Sequence, residues 1–229
     1  MDWIVCRDKS AAAVRLEMVT VYYTWISDNL TRVCENCWLE ALPLDKRDAI
    51  SHMQVEKGRA ASLLGLQLVK RGIRALGFAD FDLKAIRFPR GGKPCCNLPV
   101  DFNISHSDDM VVCALSTNAR IGIDIERLRE IRIAAFERFL NTRERAWVGE
   151  NTRRFFELWT QKEAVVKSYG EGGITNIRRV NIKHGKGTLA SQTWTLHELS
   201  IHSNYVAHVA IADDGLEMPV DVRHLAIVK

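Results

Sequence analysis

The heptapeptide Arg120-Ile-Gly-Ile-Asp-Ile-Glu126 constrains this chain more than any other stretch. Ile121, Ile123 and Ile125 alternate with Gly122, Asp124 and Glu126, the period of two that marks a half-buried strand. Side chains two apart share a face, so Asp124 and Glu126 project together, opposite the isoleucines. On a strand their Cα atoms lie about 6–7 Å apart, and two carboxylates at that spacing repel where little water screens them. Either the pair faces open solvent or a cation sits beside it. Hard oxygen ligands at this spacing suit Mg²⁺.

The rest of the composition narrows the class. The 229 residues fit one large domain or two small ones, with ample material for a core. A hydrophobic content of 47% with 26% charged residues is that of an ordinary globular protein. A formal charge of +4 is too small to predict a nucleic-acid binder. The six cysteines form no disulfide framework for a chain of this size. Cys34 and Cys37 have half the spacing of a zinc site, but no second Cys/His pair follows, so reduced, incidental thiols are expected. Residues 1–8 lack the basic start and apolar run of a secretory leader, and no apolar stretch is long enough to span a bilayer. A cytoplasmic protein with no membrane partner is expected.

Patterning predicts the following elements. Val19 to Ile26, rich in β-branched and aromatic residues, reads as a strand. A short helix is expected from Arg32 to Leu42, stopped by Pro43. A second runs from Lys46 towards Lys57, capped by Asp45, and a long amphipathic one from Arg59 to Leu76. Ala61, Leu64, Leu68 and Leu76 mark the apolar side of the long helix. Leu83 to Phe88 reads as a strand, and the Gly/Pro content of 89–94 as a loop. Phe102 to Ile104 and Met110 to Leu115 read as strands joined by a loop over 105–109. Ala134 to Leu140, Thr142 to Val148 and Phe155 to Tyr169 read as helices, the last closed by Gly170. Strands over 180–183, 193–200 and 205–212 complete the chain. Helices and strands recur without strict alternation, so the fold class is α+β.

Three further stretches carry candidate chemistry. In the helix Phe155 to Tyr169, the residues Phe155, Leu158, Trp159, Val165, Val166 and Tyr169 form one apolar stripe. Glu163 and Lys167 lie one turn apart on its shoulder, as a surface ion pair would. Lys162 falls in the middle of the stripe: it either snorkels or is a buried ammonium held by a carboxylate or phosphate. The run Asn103-Ile-Ser-His-Ser107 offers hydroxyls and an imidazole that can donate to oxygen anions. Without a third orienting group it does not suit a serine nucleophile. Gly91-Gly-Lys-Pro94 lets backbone approach a ligand while Lys93 supplies charge.

Taken in order, Gly-Lys-Pro, Phe-Asn-Ile-Ser-His-Ser, Gly-Ile-Asp-Ile-Glu and Trp-x-x-Lys-Glu-Ala-x-x-Lys resemble the 4′-phosphopantetheinyl transferases, specifically the larger type that modifies carrier proteins. The match runs roughly from Lys46 to Gly173. The resemblance implies a monomer of two similar α+β lobes related by a pseudo-twofold axis, each a small, mainly antiparallel sheet on a long helix. The lobes would be 1–118, contacting coenzyme A phosphates, and 119–229, carrying the carboxylates and the catalytic helix. The implied reaction moves the 4′-phosphopantetheine arm of coenzyme A onto a serine of an apo acyl or peptidyl carrier protein, releasing 3′,5′-ADP.

Carried over by position, Asp124, Glu126 and Glu163 are implied to hold Mg²⁺, with Mn²⁺ as the alternative ion. Lys167 is implied to meet the coenzyme A diphosphate, and Lys93, Ser105 and His106 its phosphates. Lys162 corresponds to a lysine near the reacting phosphate and Glu144 to a glutamate assisting proton transfer. Lys46 and Arg59, with Ser62 beside them, correspond to contacts near the adenosine 3′-phosphate. Where some members carry a second lysine three places after the position of Lys46, this chain has Ala49.

The proton of the acceptor serine could pass to Glu163, Glu144 or a metal-bound water. The rival enzyme class is a Mg²⁺-dependent nuclease or other phosphodiesterase, which also uses clustered acids beside a lysine but needs a basic groove. A non-catalytic ion site is the third reading, and it leaves the lysines and the Ser-His run without a purpose. Arg129, Arg132, Arg138, Arg143 and Arg145 suit contacts to an acidic carrier protein or a solvated basic face equally well.

Overall fold

A computed structural model describes residues 18–26, 32–171, 173–213 and 218–227, with the side chains of 32–34 and 174 left aside. The Cys34 side chain and residues 1–8 of the sequence reading therefore lie outside what is described. Two sheets dominate. In the first, β1 (Val19–Trp25) pairs antiparallel with β3 (Met110–Ser116), which pairs antiparallel with β2 (Asp101–Ser107); β9 (Val220–His224) adds to β1 in parallel. The second is antiparallel throughout, in the order β4, β8, β7, β6, β5. Its strands are β4 (Ile121–Arg127), β5 (Asn181–Lys183), β6 (Lys186–Leu189), β7 (Gln192–Glu198) and β8 (Tyr205–Ala212). The α+β class is as the sequence predicts.

The period-2 pattern explains the layering. Val19 and Val21 of β1, with Met110, Val112 and Ala114 of β3, meet Ile121, Ile123 and Ile125 of β4 in one core between the sheets. The alternate residues Tyr22, Val111, Cys113 and Leu115 face away and bury Ala61, Leu64 and Leu68 of the long helix α3 (Glu56–Ala75). On the other side, α5 (Thr152–Tyr169) lies on the outer face of the second sheet. The order of layers is thus α3, first sheet, second sheet, α5. Two shorter helices, α1 (Arg32–Glu40) and α2 (Leu44–Ser51), pack beside α3, while α4 (Thr142–Val148) packs on α5.

β4 is an edge strand, and its outward N–H groups would be unsatisfied but for β2. The amide of Ile121 donates to Asp101 Oδ2 (2.7 Å), that of Ile123 to Asn103 Oδ1 (2.9 Å), that of Ile125 to Ser105 Oγ (3.4 Å) and that of Arg127 to Ser107 Oγ (3.1 Å). Every second side chain of β2 therefore satisfies every second amide of β4, and the two sheets are stitched by a side-chain ladder.

This ladder accounts for the largest departure from the sequence reading. Residues 105–107 belong to β2 rather than to a loop, leaving only Asp108 and Asp109 to turn the chain. Their polarity, which reads as loop composition, serves the neighbouring backbone instead. Residues 83–88 also differ: Leu83–Ala85 is a 3₁₀ turn capped by Asp82, followed by a single bridge between Arg87 and Cys95. The helix expected over 134–140 is a 3₁₀ segment, Ile133–Phe139. α2 has Pro43 rather than Asp45 at its cap and ends at Ser51, and α3 begins ahead of Gly58. β6 and β9 are additional strands, both short and with a weak apolar pattern.

Gly122 sets the distance between β4 and α5. A Cβ there would lie 2.0 Å from the carbonyl oxygen of Ala164 and 2.4 Å from the amide nitrogen of Ser168, both backbone atoms. Gly122→Ala must push the helix off the sheet, and we expect a loss of about 3 kcal/mol or more in urea unfolding. A loss below about 1 kcal/mol would show that the helix seat is not fixed by this contact.

Candidate active site

The even-numbered face of β4 lies under α5, and each position on it, with Arg120 just ahead of the strand, has a distinct task. The Arg120 guanidinium donates to the last carbonyls of the helix, Ser168 (2.9 Å) and Tyr169 (2.6 Å). Gly122 admits the helix backbone. Asp124 is buried, and its Oδ1 accepts from Ser105 Oγ at 2.8 Å and from Lys167 Nζ at 2.6 Å. Lys167 also donates to Ser105 Oγ at 2.9 Å, closing a three-membered network. Glu126 is half-buried and accepts from Ser107 Oγ at 2.7 Å and Arg129 at 3.2 Å.

The structure thus brings together Ser105, Asp124 and Lys167, with Glu126 and Glu163 in the same field. Lys167 does not pair with Glu163 one turn earlier; it reaches across to the sheet. Glu163 has no hydrogen bond or ion pair among the described residues. Burial pushes its carboxyl up to about 7, Asp124 and Glu126 adding to the rise while Lys167 opposes it. Burial also raises Asp124, against the pull of Lys167. Beside these groups opens a cleft of about 320 Å³, lined by residues 91–94, Asn103, Glu163, Lys167 and Gly170 among others. Lys93 enters from the loop, but its ammonium is spoken for, donating to Asp101 Oδ2 (2.5 Å) and to the carbonyl of Ile121 (2.6 Å).

Other residues singled out by the sequence fall elsewhere. Ser105 and His106 are neighbours on a strand, so they face opposite ways: Ser105 into the carboxylate network, His106 towards solvent. Lys46 sits 5.0 Å above the ring of Phe88, where burial lowers its pKa. Arg59 faces Glu35 at 3.7 Å and Ser62 the sulfur of Met53 at 3.7 Å. No hydrogen bond or ion pair among the described residues links these three to the cleft. Arg129, Arg132, Arg138, Arg143 and Arg145 are all exposed.

Lys162 settles one open alternative, for its side chain is fully buried. It donates to Glu144 Oε2 at 2.7 Å and to the carbonyl of Phe139 at 3.3 Å. Burial lowers the Lys162 pKa, and Glu144 opposes that. The same Glu144 oxygen accepts from the amide of Asn141 in a capping box at the start of α4. At about 100° per residue Lys162 points away from Thr160 and Ala164, which touch the sheet. The Lys162–Glu144 pair therefore lies across the helix from Asp124.

Asp101 and Arg120 carry no site signal of their own in the sequence; Asn103 and Ser107 enter it only as the ends of the Ser-His run, and Arg129 only as a candidate contact to a carrier protein. The polar alternation Asp101, Asn103, Ser105, Ser107 was the available signal. As for a metal ion, no three Asp, Glu, His or Cys side chains among the described residues converge closely enough to hold one as they stand. The donors still fit a hard cation: Asp124 Oδ2 is buried with no partner, and Glu126 and Glu163 offer further carboxylate oxygens.

Comparisons with known proteins identify the family. A family model described as "ACPS: 4′-phosphopantetheinyl transferase superfamily" matches residues 120–216, from the Arg120 cap through β8. The chain is 30% identical over 214 residues to 4′-phosphopantetheinyl transferase Sfp of Bacillus subtilis, covering 89% of this chain and 92% of that one. It is 34% identical over 161 residues to 4′-phosphopantetheinyl transferase gsp of Aneurinibacillus migulanus, covering 68% and 67%. A third relative, HetI of a Nostoc species, is 33% identical over 151 residues, covering 61% and 63%. The chain belongs to the 4′-phosphopantetheinyl transferase superfamily, and within it to the type of Sfp. No helix among the described residues is long and apolar enough to cross a membrane.

Two measurements test the electrostatics. Between pH 4.5 and about 7 the folded chain keeps a proton on Glu163 that the unfolded chain has released, so metal-free stability falls as pH rises through that window. Glu163→Gln should remove this loss: equal to the parent near pH 4, more stable by about 1 kcal/mol at pH 8 once solvent screening is allowed for. Identical pH–stability curves would place Glu163 in ordinary solvent. Lys162→Met strands Glu144 and should cost about 3 kcal/mol, much of it recovered by adding Glu144→Gln, which keeps the Asn141 cap. An undiminished loss in the double variant would mean that the lysine matters for packing and not for charge.

Proposed function

We propose that this protein transfers the 4′-phosphopantetheine arm of coenzyme A to a serine of an apo acyl or peptidyl carrier protein, releasing 3′,5′-ADP. It does so as a cytoplasmic monomer with Mg²⁺. The observation that carries the reading is Lys167 held between Asp124 and Ser105 at the edge of the cleft, with one Asp124 oxygen left open. Membership of the superfamily supports the reaction class.

Asp124, Glu126 and Glu163 would hold Mg²⁺, which when bound supplies neutralisation of charge on the diphosphate as its bond breaks. Lys167 binds the diphosphate; its side chain is 28% exposed and so can reach a ligand without losing Asp124. Lys93 orients the 91–94 loop along the cleft, and His106 meets phosphate from the solvent side. Lys46, Arg59 and Ser62 receive the adenosine 3′-phosphate. The nucleophile is the carrier's serine hydroxyl, and ionised Glu163 accepts its proton. Lys162 and Glu144 serve by holding α4 against α5, so that Glu163 and Lys167 keep their orientation. The halves 1–118 and 119–229 divide this work, although β9 from the second completes the sheet of the first.

Intact-mass analysis of apo-carrier proteins incubated with the protein, coenzyme A and Mg²⁺ tests the reading. The carrier should gain one arm, with equimolar 3′,5′-ADP. Asp124→Asn should lower the rate at least about a hundredfold while shifting metal-free stability by less than about 1 kcal/mol. An unmodified panel of carriers, or a variant that keeps its rate, would overturn the assignment.

A further inference from the structure

One buried titratable group lies outside the transfer machinery. His208 on β8 pairs directly across from Asp124 on β4, so the two side chains leave the same face of the sheet with Cβ atoms about 5 Å apart. Among the described residues it is the one buried histidine, 3% exposed, and its neighbours along that face of β8 are Val206 and Ala210. Burial pushes its pKa down to about 4, so the ring is neutral at physiological pH. Both ring nitrogens meet α5. Nδ1 lies 2.7 Å from Oγ1 of the fully buried Thr160, and Nε2 lies 3.3 Å from Gln161 Nε2. An amide nitrogen only donates, so Nε2 is the bare acceptor and Nδ1 carries the proton. Nδ1–H then donates to Thr160, whose own proton goes to the carbonyl of Phe156 at 2.8 Å.

We propose that His208 is a positioning residue for the transfer: as an Nδ1-protonated imidazole it locks α5 to the second sheet at Thr160 and Gln161, and so sets where Glu163 stands relative to Asp124. The part given to Glu163 rests on the transferase reading above. Glu163 follows Thr160 by three residues, just under one turn, so a helix fixed at 160 is fixed at 163. Apolar packing is non-directional and lets a helix slide or roll, whereas two hydrogen bonds to one ring set its axial position and its rotation together. Arg120 holds the far end of α5 and Gly122 sets its distance from β4; His208 adds the rotation close to Glu163. The lock is made by the cross-strand neighbour of Asp124 itself, so both carboxylates are placed by one pair of adjacent strands. Lys167, long and partly exposed, can follow a small shift of the helix; the shorter Glu163 cannot.

His208→Leu removes both bonds and strands no buried donor on the helix, because Thr160 keeps Phe156 as its acceptor. With coenzyme A, Mg²⁺ and an apo-carrier, kcat should fall about tenfold or more while KM for coenzyme A stays within about threefold, the mark of a misplaced group rather than a lost ligand contact. His208→Asn, whose NH₂ group can stand where Nδ1–H stood, should recover most of the rate. From the helix side, Thr160→Val should repeat the loss, and Thr160→Ser, which keeps the hydroxyl, should restore it.

Nitrogen NMR of the parent protein reads the tautomer without any variant: Nδ1 of His208 should resonate as a protonated nitrogen and Nε2 as a bare one. A proton on Nε2 instead, a His208→Leu protein with parental kcat, or a loss that the Asn and Ser variants fail to recover would each overturn the proposal while leaving the transferase reading in place. A parent protein that modifies no carrier would overturn both.

Discussion

The edge of β4 is the constraint on which the rest of the site depends. An edge strand buried against another sheet must satisfy its outward amides, and among the described residues no further strand pairs with it. The side chains of β2 take that place at four successive positions, each 20 residues before the amide it accepts. A backbone pairing would have filled the space beside β4 with another main chain. Side chains instead leave functional groups there, and these groups reach the acids of β4 and the cleft beyond.

The same arrangement explains why catalytic and structural roles are hard to separate in this chain. Ser105 accepts an amide and a lysine and donates to Asp124, so one hydroxyl orients the sheet junction and the carboxylate together. Asp124 in turn is held against its own desolvation by Lys167 and Ser105. A buried carboxylate without them would take up a proton. What rigidifies the junction also fixes where an incoming cation or phosphate must sit.

The strand of isoleucines was legible because burial on one face imposes a period of two, and that period survives whatever lies on the other face. The helix of Phe155 to Tyr169 was legible for the equivalent reason. What sequence could not supply was the surface opposite each element. Lys167 was readable as one half of a pair with Glu163, because helical spacing puts them together, yet its partner comes from β4. Residues 105–107 read as a loop, since Ser, His and Ser lack the apolar alternation of a strand, and only the facing backbone of β4 gives them a reason to be polar. Gly122 carries no pattern at all: its need is set by Ala164 and Ser168, some forty residues on. The family resemblance brought the acids and lysines together before any of these contacts could be seen, but it assigned them no neighbours.

α5 is held from opposite sides by two ion pairs of different character. Lys162 is wholly enclosed and Glu144 nearly so; with one carboxylate oxygen shared between the ammonium and the cap of α4, neither partner can leave without stranding the other. Lys167 is partly exposed and meets Asp124 where the cleft opens. An anionic ligand offers Lys167 a second partner at little desolvation cost, because water already reaches it. The enclosed pair therefore suits a frame and the open pair a working contact. A helix fixed only by working contacts would shift whenever a ligand drew on them. With the frame on the far side, and Arg120 holding its last carbonyls, α5 can share the Lys167 charge with a ligand while Glu163 stays where β4 needs it.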